Sequence, residues 1–207
     1  MKTITDIKPQ VKTPTRCSIY LDNVFYCGLE LETVMRHRIK IGDQIEPEKL
    51  DEIQCDSERV RAFDKALSFI TKSKKTQKQV REHLYSKGYT EQTVESVIEK
   101  LNDYRFVDDS DYALVYAKSY SKAKGKKLIE MELKRKGVSE EDMTEALENI
   151  GDQTESAVLI AEKYLKNKEK DKANLLKCYK YLLSKGFEYD VAKSAIDKMG
   201  HNEDDYR

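Results

Sequence analysis

Apolar residues recur along this chain with a helical period, and a short element that appears three times interrupts the pattern. The element consists of an apolar residue, several polar residues including a lysine, a glycine and a further apolar residue. It occurs at 84–89, 133–138 and 182–187, so that its glycines, Gly88, Gly137 and Gly186, are 49 residues apart each time. Self-similarity at a fixed period is the sequence signature of a repeat protein.

The repeated element predicts the end of a helix. Glycine adopts the left-handed conformation beyond a helix without a steric penalty, and the preceding basic residues suit the negative end of the helix dipole. Thr90 and Ser139 then precede acidic residues, as expected for helix N-caps. Apolar residues continue at helical spacing in Val94, Val97, Ile98 and Leu101. With an upstream helix marked by spaced alanines, each unit is predicted to be a three-helix bundle.

The N-terminal part of the chain has a different pattern. Two β-rich runs, 17–21 and 24–27, flank Asp22-Asn23 and predict a β-hairpin. With a two-residue turn, Cys17 and Cys27 are expected on opposite faces, and all four cysteines are expected to be free thiols. A short helix follows, and Pro47 marks the start of another.

The predicted fold is mainly α, with three tandem three-helix-bundle repeats in an elongated curved array. A small N-terminal β-hairpin and helix would cap it. We expect a disordered arm over 1–12, the cap over 13–55, repeat 1 over 56–108, repeat 2 over 109–151, repeat 3 over 152–200 and a frayed tail over 201–207.

The join between repeats 1 and 2 carries adjacent carboxylates. Asp109, or Ser110 beside it, is expected to cap the next helix by accepting its free amide hydrogens. A metal-binding or catalytic pair is the alternative, but at this spacing it has no histidine and no third converging acid. We therefore assign a structural role to Asp109, as to the three glycines.

Composition narrows the classes of function. Charged residues make up 37% of the 207 residues and hydrophobic ones 39%, which is typical of helices with thin cores and wide solvated faces. No apolar run reaches the ~20 residues of a membrane span, and no signal-peptide core is visible, so we expect a cytoplasmic protein. Nucleotide-binding and zinc-protease motifs are absent from the sequence, so we expect neither an enzyme nor a cofactor or metal. Most tyrosines are interpreted as core or rim residues.

Charge is sorted within each repeat, although the formal net charge is zero. Basic residues concentrate around the first loop and the second helix, and acids follow in the third helix. This recurrence predicts a basic stripe that suits an acidic partner, whereas a solvated face explains any single helix equally well. Lys124, Lys126 and Lys127 are expected to be exposed, in or beside a loop. The predicted stripe comprises Lys72, Lys74, Lys75, Lys78, Arg81, Lys122, Lys124, Lys126, Lys127, Lys134, Arg135, Lys170, Lys172 and Lys177.

Taken together, these motifs resemble the RecX family, the regulators of the bacterial RecA recombinase, over nearly the whole chain. The residues that carry the resemblance are Ala66-Leu67, Val80-Arg81, Leu84 and Lys87-Gly88 in repeat 1, Phe106-Val107-Asp108-Asp109 with Tyr112-Ala113 at the join, and Ile129, Glu132-Leu133 and Lys136-Gly137-Val138 in repeat 2. The chain departs from the family at Lys72-Ser73-Lys74-Lys75, where an arginine is usual.

The resemblance implies a monomeric, non-enzymatic protein that lies in the groove of the RecA–DNA filament. There it would modulate, and mostly inhibit, filament growth, ATP hydrolysis and strand exchange. Single- or double-stranded DNA is expected to bind weakly. Two other functions stay open, a sequence-independent nucleic-acid binder and a helical protein–protein adaptor. The neutral net charge speaks against the first, and only generic features favour the second.

Overall fold

The computed structural model describes residues 1–11 and 13–200, which divide into two compact units. Unit 1 comprises Met1–Lys74 and Gln79–Val107, and unit 2 comprises Lys75–Lys78 and the chain from Asp108 onward. Helices dominate both, so the prediction of a mainly α protein is confirmed. The predicted tail, 201–207, lies outside the described residues.

Unit 1 begins with four strands, β1 (Lys2–Gln10), β2 (Thr13–Leu21), β3 (Val24–Glu30) and β4 (Gln44–Ile45). They form an antiparallel sheet in the order β3-β2-β1-β4. The predicted hairpin between β2 and β3 is confirmed. Its two turn residues, Asp22 and Asn23, have φ of 48° and 68°, which a two-residue type I′ turn requires.

Two features of this sheet differ from the sequence predictions. Residues 2–10 form β1 instead of part of a disordered arm, because the strand pairs with β2 and β4 and buries Ile4. Cys17 and Cys27 lie on the same face and are both buried. The reason is a register shift between Ile19 and Tyr20, which places Cys27 opposite Ile19. All four cysteines are free, and burial raises the pKa of Cys27 to about 11.

The sheet and the first bundle share one long helix. After α1 (Leu31–Arg36), α2 runs over Pro47–Ile70, with Pro47 in its first turn. Leu50 and Ile53 of α2 pack in the core of the sheet, whereas its Ala62 and Ala66 pack in the core of the first bundle. The predicted boundary at 55/56 was therefore wrong, since it falls inside a continuous helix.

Three-helix bundles follow one another as predicted. Leu84, Leu133 and Leu182, which occupy equivalent positions of the three repeats, are fully buried. The helices are α3 (Gln77–Tyr85) and α4 (Glu91–Asp103), then α5 (Asp109–Tyr120), α6 (Lys126–Arg135) and α7 (Glu140–Glu148), then α8 (Thr154–Leu165), α9 (Lys172–Ser184) and α10 (Tyr189–Gly200).

The repeated glycines end the middle helices as predicted, with φ of +85°, +85° and +84° at Gly88, Gly137 and Gly186. At the first glycine, the amide of Gly88 donates to the carbonyl of Tyr85 at 2.9 Å, and the amide of Tyr89 donates to the carbonyl of Leu84 at 3.4 Å. This pair of bonds is the Schellman motif, and it recurs at the other two glycines. The N-caps predicted at Thr90 and Ser139 are also confirmed.

Inside unit 2, the second and third bundles meet backbone to backbone. The amide of Gly125 donates to the carbonyl of Lys185 at 2.9 Å, and the amide of Lys127 donates to that of Gly186 at 3.1 Å. The start of α6 is thereby fixed to the end of α9.

Candidate interaction surface

The predicted basic residues of unit 1 differ in whether their side chains are exposed or already paired within the fold. Lys72 and Lys74, just beyond α2, are exposed. Arg81 instead forms a two-bonded ion pair with Glu95, at 2.8 and 3.0 Å, which links α3 to α4. Hydrogen bonding to Arg81 holds the pKa of Glu95 below its usual value. The charge of Arg81 is thus already matched within the fold.

The short segment 75–78 is fixed to the end of α6. Lys78 Nζ donates to the carbonyl of Arg135 at 3.1 Å, and Thr76 Oγ1 donates to the carbonyl of Lys136 at 2.7 Å. These contacts satisfy carbonyl groups at the end of a helix, which have no partner within it. Lys78 therefore has a helix-capping role that the charge pattern did not indicate, and Lys75 beside it is half-buried.

The carboxylates at the join are helix caps, in a different arrangement from the predicted one. The N-cap of α5 is Asp108, which accepts from the amide of Asp111 at 2.9 Å. Asp109 Oδ1 accepts from the amide of Gln77, the first residue of α3, at 2.8 Å. The prediction that Asp109 or Ser110 caps the following helix was therefore wrong, and the amide that Asp109 accepts from lies 32 residues earlier in the chain.

Lys124 lies in a half-buried polar network. Its Nζ is 2.7 Å from Oε1 and 2.6 Å from Oε2 of Glu132, and the hydroxyl of Tyr116 donates to Glu132 at 2.7 Å. The side chains of Lys124 and Glu132 are only 23% and 17% exposed. Burial opposes ionisation of Glu132, but hydrogen bonds from Lys124 and Tyr116 outweigh it and lower the pKa of this carboxyl group. The expectation that Lys124 is exposed was therefore wrong.

Reversing this charge should destabilise unit 2. Lys124→Glu brings two half-buried carboxylates together, and we expect it to lower the free energy of unfolding by about 3 kcal/mol. The loss of stability in Lys124→Glu should become smaller as the pH falls, because one of the two neighbouring carboxylates then binds a proton. Lys122 lies in the same loop but is exposed, so Lys122→Glu should change the free energy of unfolding by less than about 0.5 kcal/mol. Urea unfolding followed by circular dichroism measures both, and equal effects would contradict the importance of the network.

Lys126 and Lys127 are held mainly through their backbones. The amide of Lys126 donates to Gln153 Oε1 at 2.9 Å, and Gln153 Nε2 donates to the carbonyls of Ser121 and Lys124 at 2.7 and 2.9 Å. The ammonium group of Lys127 lies 4.6 Å from the ring centroid of Tyr189. Gln153, which the sequence analysis missed, thus fixes the whole loop before α6.

The other predicted stripe residues of unit 2 extend into solvent. Lys134 lies 3.7 Å from Glu140, but both side chains are largely exposed, and an ion pair of this kind contributes little to stability. The exposed members of the stripe in unit 2 are Lys78, Lys122, Lys127, Lys134, Arg135, Lys170, Lys172 and Lys177. These residues, with Lys72 and Lys74 of unit 1, are the exposed part of the stripe.

A ladder of tyrosines accompanies the lysines of repeat 2. Tyr112, Tyr116 and Tyr120 follow one another along α5, with centroids 5.8 and 4.5 Å apart. Lys124 Nζ lies 4.3 Å from the ring centroid of Tyr120, and Lys136 Nζ lies 5.3 Å from that of Tyr116, within cation–π range. Their i, i+4 spacing was visible in the sequence, but the approach of lysines from other segments was not.

The histidines and acidic residues form no metal-binding cluster in the part of the chain that the structure describes. Within 1–11 and 13–200, no three His, Cys, Asp or Glu side chains form a metal-binding group. His83 stacks on Phe69, with centroids 4.1 Å apart, and burial lowers its pKa. His37 contacts Asp56 at 3.3 Å. In the same residues, no helix has the length and apolar character needed to cross a bilayer.

Comparison with known families gives three matches along the chain. Residues 2–46 match the Regulatory protein RecX N-terminal domain, 62–101 match the first RecX three-helix domain and 108–147 match the second. The Regulatory protein RecX of Clostridium perfringens (strain 13 / Type A) is 34% identical over 98% of this chain and 99% of its own length. The chain belongs to the RecX family. The Bacillus subtilis (strain 168) RecX is 31% identical over 99% of this chain and 80% of its own.

Solved RecX structures have the same fold. A crystal structure of regulatory protein RecX aligns with a TM-score of 0.74 at 24% identity, covering 95% of this chain and 100% of the other. The crystal structure of RecX from Lactobacillus salivarius aligns with a TM-score of 0.63 at 28% identity, covering 69% and 96%. RecX is a family of regulatory proteins and not of enzymes.

Proposed function

We propose that this protein regulates a RecA recombinase by binding along the RecA–DNA filament, and that it mostly inhibits filament growth, ATP hydrolysis and strand exchange. The observation that carries the proposal is the identity of 34% with a RecX protein across nearly the whole chain. In this proposal the protein acts as a cytoplasmic monomer without a cofactor.

The distribution of exposed charge supports a filament as the partner. Exposed lysines and arginines occur in all three repeats, at Lys72, Arg135 and Lys172 for example. Each such contact with an acidic partner is weak, because exposed ion pairs contribute roughly 0–1 kcal/mol. Several contacts made by one chain to successive filament subunits add through effective concentration and give tight binding without a deep pocket.

The test is to titrate the protein into the DNA-dependent ATPase reaction of RecA. Reversing Lys170, Lys172 and Lys177 to glutamate should raise the concentration needed for half-maximal inhibition about tenfold or more. Because all three are exposed, the melting temperature should barely change. Reversal of Glu141, Glu145 and Glu148, exposed acids on α7, to lysine is the matched control. Equal losses from the two sets would show that the stripe is only a solvated face.

The second candidate is a nucleic-acid binder that acts on DNA directly, favoured by the exposed lysines that occur in all three repeats. In that case affinity for bare single strands should fall with log salt at a slope near −0.7 per phosphate contacted. Filament regulation predicts much tighter binding to the RecA–DNA complex than to either component. An adaptor for some other protein would leave the RecA reaction unchanged.

A further inference from the structure

A cleft in unit 2 has a lining that is basic and apolar at once. It lies between α8, α9 and the loop before α6 and has a volume of about 550 Å³. Three lysines line it, Lys122, Lys163 and Lys185, and no carboxylate does. The cleft therefore attracts negative charge.

The apolar part of the lining is centred on α8. Leu159 is 65% exposed and Ile160 lies beside it. The bundle core uses another face of this helix, through Ala157 and Ala161. Leu159 can thus gain an apolar contact only from outside the bundle, and burial of its exposed surface would favour binding.

Two tyrosines of the cleft, Tyr164 and Tyr181, help to distinguish a nucleic acid from an acidic peptide as the ligand. Their rings stack on each other with centroids 4.8 Å apart. Lys168 Nζ lies 3.3 Å from the centroid of Tyr164, and Lys185 Nζ lies 5.3 Å from that of Tyr181. Nucleic-acid bases bind single-strand-binding proteins by stacking on aromatic faces. Because the faces of Tyr164 and Tyr181 are already covered by each other and by lysines, these rings offer no free face on which a base could stack.

We propose that this cleft binds an acidic peptide segment of a partner protein. One apolar side chain of the segment packs on Leu159 and Ile160, and flanking carboxylates pair with Lys122, Lys163 and Lys185. A polynucleotide would satisfy the lysines but offers no aliphatic group to Leu159, so a peptide fits the complete lining better. The inference goes beyond filament regulation, and its probe contains no recombinase, so the two proposals fail independently.

The test is fluorescence anisotropy with a labelled peptide of aspartate and glutamate around a central Leu-Phe pair. The full-length protein should bind it, and the double variant Lys122→Glu/Lys163→Glu should weaken binding about tenfold or more. Leu159→Ser should weaken it about fivefold. A second peptide carries Ser-Ser in place of the central Leu-Phe pair. Its affinity for the unsubstituted protein should be reduced about as much as the affinity of the Leu-Phe peptide is reduced by Leu159→Ser.

Matched controls come from a second cleft, between α9 and α10, which also contains leucine and lysine but includes the carboxylate of Asp197. Leu176→Ser, at a leucine that is 54% exposed, and Lys193→Glu should leave peptide affinity within about twofold. Equal losses at both clefts would overturn the proposal. Equal affinity of the protein for the two peptides would also overturn it. A third contrary result would be an oligothymidine that binds more tightly than the Leu-Phe peptide and whose affinity is unchanged by Leu159→Ser.

Discussion

Replacing Gly125 with alanine is expected to lower the free energy of unfolding of unit 2 by about 3 kcal/mol or more. A Cβ atom at this position would lie 2.1 Å from the carbonyl group of Gly186 and from the amide nitrogen of Phe187. Both are backbone atoms, which cannot rotate away as a side chain can. The start of α6 would have to separate from the end of α9, breaking the hydrogen bond from Gly125 to Lys185.

Gly88→Ala is the matched control for this experiment. Gly88 has φ of +85°, but a Cβ atom there would meet nothing within 4 Å, so alanine should cost only about 1 kcal/mol of backbone strain. Urea unfolding followed by circular dichroism compares the two variants. If Gly125→Ala were no worse than Gly88→Ala, the close backbone contact would not hold in solution.

The second large effect is expected from Glu30→Ala in unit 1. Glu30 Oε1 lies 3.0 Å from Arg61 Nε and 3.4 Å from Arg16 Nε, and only 11% of its side chain is exposed. Removing this carboxylate leaves the guanidinium group of Arg16, itself only 21% exposed, without its counter-charge. Loss of one partner from such a buried group should lower the free energy of unfolding by about 3 kcal/mol.

Glu32→Ala tests whether burial is the cause. Glu32 pairs with Arg36 at 2.7 Å, but 67% of its side chain is exposed, so its removal should cost less than about 1 kcal/mol. Thermal unfolding of the two variants at neutral pH and the same ionic strength gives the comparison. A loss for Glu30→Ala as small as that for Glu32→Ala would mean that the Arg16–Glu30–Arg61 contacts contribute little.

The helical part of the fold was predictable because its signals are local and repeated. A glycine that must take positive φ, a threonine or serine before acidic residues, and a helical apolar period each report on a few neighbouring residues. Thus Gly137, Ser139 and Leu133 were placed correctly without knowledge of any tertiary contact. Recurrence at 49 residues then strengthened each assignment.

Features that depend on distant parts of the chain were not predictable in this way. β1 carries one fully buried residue, Ile4, and its alternation of isoleucine and threonine is too short to distinguish a strand from an arm. The register shift beside Ile19, which turns Cys27 into the core, is invisible in composition. Likewise, the partner of Asp109 lies 32 residues away.

The charge pattern indicated a surface but not the state of each residue on it. Lys124 and Lys122 are two positions apart in one loop, yet one pairs with a half-buried glutamate and the other is exposed. Nothing local distinguishes them, because the difference arises from Glu132 on the following helix. The role of the exposed stripe in binding stays a prediction.

The continuity of α2 has a mechanical consequence for unit 1. Its 24 residues make a rod about 36 Å long, with proline only in the first turn and no glycine inside to act as a hinge. One end is packed into the sheet and the other into the first bundle. A load applied to the sheet, such as the pull of a moving partner, is therefore transmitted to the first bundle as rigid-body tilt, and bending between them is suppressed.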